Sequence, residues 1–178
     1  GGTGGLNMFH YSNSNLMDGL TLTASYTPSA KTVEVESSQD YGFKYTGIEG
    51  LTIGAGMGED NGEGPTDADD VTAFNVTYAM DAISIGYSSY EVDSNASSSD
   101  TTLTAMGISY AVSDDLSVSL NTAETEIEGS SDQEAMGISA SLVVGSMTLS
   151  ANHNSVENVG GTSGKDRSGY ALGLSFAF

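Results

Sequence analysis

The chain has 178 residues, of which 24 are acidic and 4 are basic, so its formal net charge is −20. Nucleic-acid phosphates are bound by clustered Lys or Arg, and this charge balance therefore excludes a nucleic-acid partner. No apolar run approaches the roughly 20 residues of a membrane-spanning helix, which excludes a helical membrane protein.

Strand-like segments with alternating apolar and polar residues fill the first half of the chain. The first two predicted strands cover residues 6–11 and 20–27, and a tight turn at residues 46–50 joins the next two. In each strand the large apolar residues occupy every second position and therefore share one face. These apolar sets are Leu20, Leu22, Ala24 and Tyr26; Tyr41, Phe43 and Tyr45; and Leu51, Ile53, Ala55 and Met57.

The same pattern continues through three further hairpins, which turn at residues 80–82, 113–115 and 144–146, and then through a closing strand. Ser, Thr, Gly and Asn fill most positions between the apolar residues. The chain therefore contains about eleven predicted strands and is all-β. The apolar sets here are Phe74, Val76 and Tyr78; Ile83, Ile85 and Tyr87; Met106, Ile108 and Tyr110; Leu116, Val118 and Leu120; Met136, Ile138, Ala140 and Leu142; and Met147, Leu149 and Ala151.

Strand length, loop length and composition together indicate an antiparallel transmembrane β-barrel. Such barrels use strands of about 9–11 residues, and their short turns alternate with long polar loops. Polar rows of Ser, Thr, Gly and Asn suit a water-filled lumen, and tyrosines near strand ends suit the lipid–water boundary. A soluble sandwich is the main alternative, although its outer face would carry more Lys and Glu. The boundary tyrosines are Tyr26, Tyr45, Tyr78, Tyr87, Tyr110 and Tyr170.

The closing strand has five large apolar residues on one face, with Ala, Gly and Ser on the other. This row, which ends at the last residue of the sequence, resembles the closing strand of Gram-negative outer-membrane porins. The resemblance implies that the row is the signal read by the barrel-assembly machinery. The candidate assembly-signal residues are Tyr170, Leu172, Leu174, Phe176 and Phe178.

Loop lengths also predict an orientation. In the porin family short turns face the periplasm, so the closing strand runs inward, and counting back makes the first strand run inward as well. A barrel with an even number of antiparallel strands then needs an odd number of strands before Gly1. We therefore expect residues 1–178 to form a single, N-terminally incomplete β-barrel domain. The resemblance to general porins implies 16 strands in the whole barrel.

Three polar residues are candidates for the pore lining, because each lies between apolar residues of its strand: Lys44, Asn75 and Asn121. Lys44 would be a lone cation among many acids, and pairing with a nearby carboxylate is favoured over contact with a solute. The two histidines, His10 and His153, lie in different hairpins without Ser-His-Asp or metal-type spacing. We therefore predict no enzymatic activity, no catalytic residue, no cofactor and no metal site.

The most acidic segment is the predicted loop of residues 58–70, whose carboxylates could ligate Ca²⁺. Its spacing departs from the EF-hand pattern, which favours a solvated loop. Other acids continue the apolar rows of their strands and mark where those strands leave the membrane. Whether divalent cations bridge them to lipid phosphates stays open. These acids are Glu91, Asp93, Glu124, Glu126 and Glu128.

The sequence thus predicts a porin of the bacterial outer membrane, surrounded by lipid, through which small hydrophilic solutes diffuse passively. The resemblance implies a homotrimer, and the net charge predicts a preference for cations. Two alternatives stay open. One is a structural or surface-recognition outer-membrane barrel, for example a phage receptor, and the other is a soluble all-β adhesin domain.

Overall fold

A computed structural model describes residues 8–29, 37–61, 68–94 and 100–177, without the side chains of residues 60–61 and 68–69. Eleven β-strands dominate this part of the chain, and the one helical segment in it is a short 3₁₀ turn at Val159–Gly161. The all-β prediction is confirmed. The strands are β1 (Phe9–Asn13), β2 (Leu20–Thr27), β3 (Ser38–Ile48), β4 (Leu51–Asn61), β5 (Ala68–Met80), β6 (Ile83–Ser94), β7 (Thr101–Ala111), β8 (Leu116–Ile127), β9 (Gln133–Val144), β10 (Met147–Glu157) and β11 (Arg167–Phe176).

The strands follow one another in chain order within one sheet, from β1 to β11. The chain divides into two compact units, residues 1–76 with 89–102 and residues 77–88 with 103–178. In the first unit β1 to β4 pair antiparallel with their neighbours. In the second unit β8 to β11 do the same.

The registers of the first unit separate apolar and polar side chains onto opposite faces. One cross-strand line joins Tyr11, Ala24, Tyr41 and Met57. A line on the other face joins Thr21 of β2, Lys44 of β3 and Gly54 of β4. We call these two sides the apolar face and the polar face.

The second unit shows the same separation. Leu120, Ile138, His153 and Tyr170 form one cross-strand line on its apolar face. One residue further along β8, Asn121 begins a line on its polar face that continues through Gly137, Asn154 and Gly169. Because side chains alternate along a strand, a slip of one residue would exchange the two faces.

Tight turns help to fix these registers. Two-residue connections follow β3, β5 and β9, and each contains a residue in the left-handed region: Gly50 at φ 74°, Asp81 at φ 49° and Gly145 at φ 61°. Positive φ at hairpin turns matches the right-handed twist of the flanking strands. These connections lie within the predicted turns at residues 46–50, 80–82 and 144–146, although the first is shorter than predicted because β3 continues to Ile48.

Large apolar side chains lie on the surface of the sheet. Among the described residues no hydrophobic side chain is buried, whereas Tyr170 is 84% exposed and Leu172 is 76% exposed. Contiguous exposed apolar surface of this kind marks contact with a membrane or a partner. No helix in the described part of the chain is long and apolar enough to span a membrane.

Two predicted loops are shorter than expected. The loop predicted for residues 58–70 is shorter in the structure, because β4 extends to Asn61 and β5 begins at Ala68. The loop predicted from Asn154 to Arg167 is also shorter in the structure, because Asn154 pairs with Gly169 and Val156 pairs with Arg167. Polar residues signalled loops, but a backbone ladder requires no apolar side chain, so the strands continue beyond their apolar rows.

The first strand and one acid also differ from the expectation. β1 runs from Phe9 to Asn13, not over residues 6–11, and residues 6 and 7 are outside the described ranges. Glu128 does not continue the row of β8, because that strand ends at Ile127 and Glu128 lies in the following turn.

Candidate functional site: the polar face

Lys44 lies on the polar face of β3, as its alternation with Phe43 and Tyr45 predicted. Its cross-strand partners are Thr21 and Gly54, and neither carries a charge. Lys44 is exposed. The predicted pairing with a carboxylate is not seen in the described part of the chain, where its cross-strand neighbours are uncharged.

Asn75 of β5 also lies on the polar face, directly over the backbone of Gly54. A Cβ atom built on Gly54 would be 2.8 Å from Nδ2 and 3.0 Å from Oδ1 of Asn75. Gly54 is buried under this amide. Gly54 thus lies between Lys44 on one strand and Asn75 on the other, so these two candidate lining residues are neighbours across β4.

Other glycines on the polar face of the first unit are covered in the same way. The hydroxyl of Thr23 lies over Gly42 and donates a hydrogen bond of 3.3 Å to its carbonyl oxygen. The carboxylate of Asp40 lies over Gly58 and accepts a hydrogen bond of 2.8 Å from Ser25 Oγ. The side chains of Thr23 and Asp40 therefore lie along the wall.

Asn121, the third candidate, belongs to a similar group in the second unit. A Cβ atom on Gly137 would be 2.7 Å from Oδ1 of Asn121 and 2.6 Å from Oδ1 of Asn154. Asn154 Nδ2 donates in turn to Oδ1 of Asn152 at 3.1 Å. Two amides thus converge over one buried glycine, and a third continues the group along β10.

Hydroxyl groups extend this wall toward the short turns. The Oγ atoms of Ser119 and Ser139 are 2.7 Å apart, and Ser150 Oγ lies over Gly173. From β8 to β10, the polar face of the second unit carries amides, hydroxyls and small side chains together with Ile127, Val143 and Val156, and no charged side chain among its described residues. Such a wall can hydrogen-bond water and neutral solutes.

The acidic side chains lie mainly on the opposite face. On the strands whose side chains are described, Asp40 is the one acid of the polar face. The other acids share the apolar rows and lie near the long-loop ends: Glu59, Asp70, Glu91, Asp93, Glu124, Glu126, Glu134 and Glu157. The registers align Glu124, Glu134 and Glu157 directly across three strands.

Surface depressions on the apolar face confirm this assignment. One depression brings Glu59 and Asp70 together with Tyr41 and Met57. Another holds Glu124, Glu134 and Glu157 beside Met106 and Met136. The strand acids therefore continue the apolar rows, as predicted for Glu91, Asp93, Glu124 and Glu126, and mark the level at which each row becomes polar.

The histidines lie on opposite faces of their strands. His10 is on the polar face, where the registers align it with Ser25 and Asp40 across three strands. This order places the serine between the histidine and the acid, and Ser25 Oγ donates to Asp40. Serine nucleophiles require the histidine between those two groups, so this line is not a nucleophilic site. His153 lies on the apolar face beside Ile138.

No group of three or more His, Cys, Asp or Glu that could hold a metal ion occurs in the described ranges. The middle of the acidic loop, residues 62–67, lies outside those ranges, so the calcium alternative stays untested there.

The candidate assembly strand has the predicted alternation. Tyr170, Leu172, Leu174 and Phe176 all lie on the apolar face of β11 and are more than half exposed. Phe178 lies outside the described residues.

Sequence reasoning missed four polar-face residues: Asp40, Asn152, Asn154 and Arg167. Asn154 and Arg167 were assigned to a loop because they follow the last large apolar residue of their hairpin. Counting alternate positions onward from Leu149 and back from Tyr170 would have placed both on the polar face.

Comparisons with known proteins identify the family. A family model described as Gram-negative porin matches residues 2–131. No curated protein matches the chain in sequence. The chain resembles the anion-selective porin from Comamonas acidovorans with a TM-score of 0.73 at 14% identity, over 96% of this chain and 59% of that one.

Two other solved structures are similar in fold. A mutant of Rh. blastica porin gives a TM-score of 0.60 at 18% identity, over 96% of this chain and 55% of that one. Outer-membrane expressed OmpT of Vibrio cholerae gives 0.58 at 12% identity, over 95% and 64%. The chain thus spans less than two thirds of each structure. The family match covers well over half of the chain and agrees with its antiparallel strands, and the chain therefore belongs to the Gram-negative porin family of the bacterial outer membrane.

Proposed function

We propose that the protein forms a water-filled channel through which small hydrophilic solutes diffuse across the outer membrane. The separation of the two faces is the observation that carries this proposal. Large apolar side chains are exposed on one face, where lipid would solvate them, and amides and hydroxyls cover the other. A transmembrane barrel needs this arrangement to have a lipid-facing exterior and a wet lumen.

The flat packing of polar side chains over glycines supports a role in diffusion. Gly54 and Gly137 let the amides of Asn75 and Asn121 lie along the wall, which leaves space above them for water and solute. The chemistry required is limited to replacing part of a solute's hydration with hydrogen bonds to the wall. We propose no catalytic step, since the line of His10, Ser25 and Asp40 is wrongly ordered for one.

Assembly and cation binding are further parts of the proposal. A homotrimer fits the family resemblance, and divalent cations at the acidic loops fit the charge there. The predicted cation preference has no support from the comparisons, because one similar structure is described as an anion-selective porin.

Conductance of the intact protein in a planar lipid bilayer tests the proposal. A diffusion channel gives stepwise current increments on insertion, and liposomes that contain it swell in small sugars. Stable, detergent-requiring insertion without any current would contradict the proposal and favour the surface-recognition barrel. A protein that stays monodisperse without detergent would favour the soluble alternative.

A further inference from the structure

The formal charge of −20 suggests a channel that attracts cations, but the positions of the charges do not support that conclusion. Eight strand acids lie on the apolar face near the long-loop ends, and Asp40 is the one strand acid described on the polar face. The polar face carries two permanent cations, Lys44 on β3 and Arg167 on β11. Among the strand residues whose side chains the structure describes, most acids therefore lie away from the wall that an ion would meet.

Distance and screening separate the apolar-face acids from the polar face. Two packed sheets are about 10 Å apart, so the side chains of each sheet extend roughly half that distance from its backbone. The ends of side chains on opposite faces of one sheet are therefore roughly 10 Å apart. This separation is comparable to the Debye length, which is about 10 Å at 0.1 M salt. Carboxylates at strand ends, facing away from the lumen, should therefore contribute little to the field along the polar face.

Lys44 has no charged cross-strand neighbour among the described residues. Its neighbours on the polar face are Thr21 and Gly54 across the strands and Gly42 and Thr46 along β3. Asp40 is four residues away, about 13 Å along the strand at 3.3 Å per residue. The carboxylate of Asp40 accepts a hydrogen bond from Ser25 and lies over Gly58, so it is directed across β4.

We propose that Lys44 is a selectivity-determining residue that favours small inorganic anions, and that the apolar-face carboxylates leave ion preference unchanged. This inference rests on the proposed channel function. Gly54 has no side chain to screen the ammonium group, and the amide of Asn75 beyond it is neutral. On the described strands of the first unit, an anion passing the polar face therefore meets the exposed positive charge of Lys44.

The test measures the reversal potential of the intact protein in a planar bilayer under a gradient of KCl. Lys44→Glu should change the potassium-to-chloride permeability ratio by at least about twofold toward potassium at 0.1 M salt, and by less at 1 M, where the Debye length is about 3 Å. Lys44→Gln should give a smaller change of the same sign. A matched control replaces Glu59 by Gln and Asp70 by Asn, and a second replaces Glu134 by Gln. Both controls should leave the ratio unchanged.

A chemical version avoids the risk that a charge reversal prevents folding. Residues 1–178 contain no cysteine, so Lys44→Cys introduces the one thiol of this part of the protein, which can be modified after insertion. A cationic thiol reagent should restore the original ratio, and an anionic reagent should shift the ratio toward potassium. An unchanged ratio in every Lys44 variant, or an equal shift in the carboxylate controls, would overturn the inference. Absence of current from the unmodified protein would instead refute the proposed channel function.

Discussion

An arginine on the apolar face of β8 should destabilise the protein far more than one on its polar face. Leu120 lies four residues from Leu116, where β8 begins, and four from Glu124, the first acid of its row. At about 3.4 Å per residue this is roughly 13 Å in each direction, or about 10 Å of depth for a strand tilted by about 40°. Leu120 is therefore close to the middle of an apolar band about 25 Å tall. Leu120→Arg should cost about 2–4 kcal/mol.

Ser119→Arg is the matched control on the polar face. It removes the hydrogen bond between Ser119 and Ser139, which is worth about 1 kcal/mol, but its charge can stay in water. Val118→Arg, two residues closer to the short turn than Leu120, should cost an intermediate amount. The assay is equilibrium unfolding by urea in lipid vesicles, followed by tyrosine fluorescence. Equal losses for Leu120→Arg and Ser119→Arg would refute the assignment of the two faces.

Three further changes test other parts of the structure. Deleting Phe178 should lower the amount of protein assembled in the outer membrane more than it lowers stability in vitro, and normal membrane levels would remove the role of the assembly signal. Gly137→Ala should push the amides of Asn121 and Asn154 off the wall, because a Cβ atom there would be within 2.7 Å of both. Reduced single-channel conductance is the expected readout, and an unchanged value would show that these amides do not line the path. Glu134→Gln should raise the free energy of unfolding by less than about 1 kcal/mol, because it relieves repulsion between directly opposed carboxylates on β8, β9 and β10, and a loss of stability would show that the carboxylates are compensated.

The alternation of apolar and polar residues was sufficient to predict that these strands exist and on which face their side chains lie. Apolar residues at every second position, interrupted by turn residues such as Gly50 and Gly145, carry the two signals that define a hairpin. Lys44, Asn75 and Asn121 were placed on the polar face by that alternation alone. Strand ends were less predictable, because Asn154 and Ser155 continue the ladder without any apolar side chain.

Contacts across strands could not be predicted from the pattern. The position of Asn75 over Gly54 depends on the pairing of β4 with β5, and the convergence of two amides on Gly137 depends on two registers at once. Ion preference was predicted from the whole-chain charge, although the alternation already placed Glu124 and Glu126 on the apolar row. Counting the same parity for Glu59, Asp70 and Glu134 would have placed these three acids on the apolar face as well.

Cysteine accessibility along β8 tests the central claim that one face meets water and the other meets lipid. Residues 1–178 have no cysteine, so each thiol introduced there is compared with the same protein without the substitution. In the intact, membrane-inserted protein, Ser117→Cys, Ser119→Cys and Asn121→Cys should react with a charged, membrane-impermeant thiol reagent and reduce the conductance. Leu116→Cys, Val118→Cys and Leu120→Cys should stay unreacted and leave the conductance unchanged. Reaction at consecutive positions without alternation, or reaction confined to the leucine and valine positions, would contradict the account.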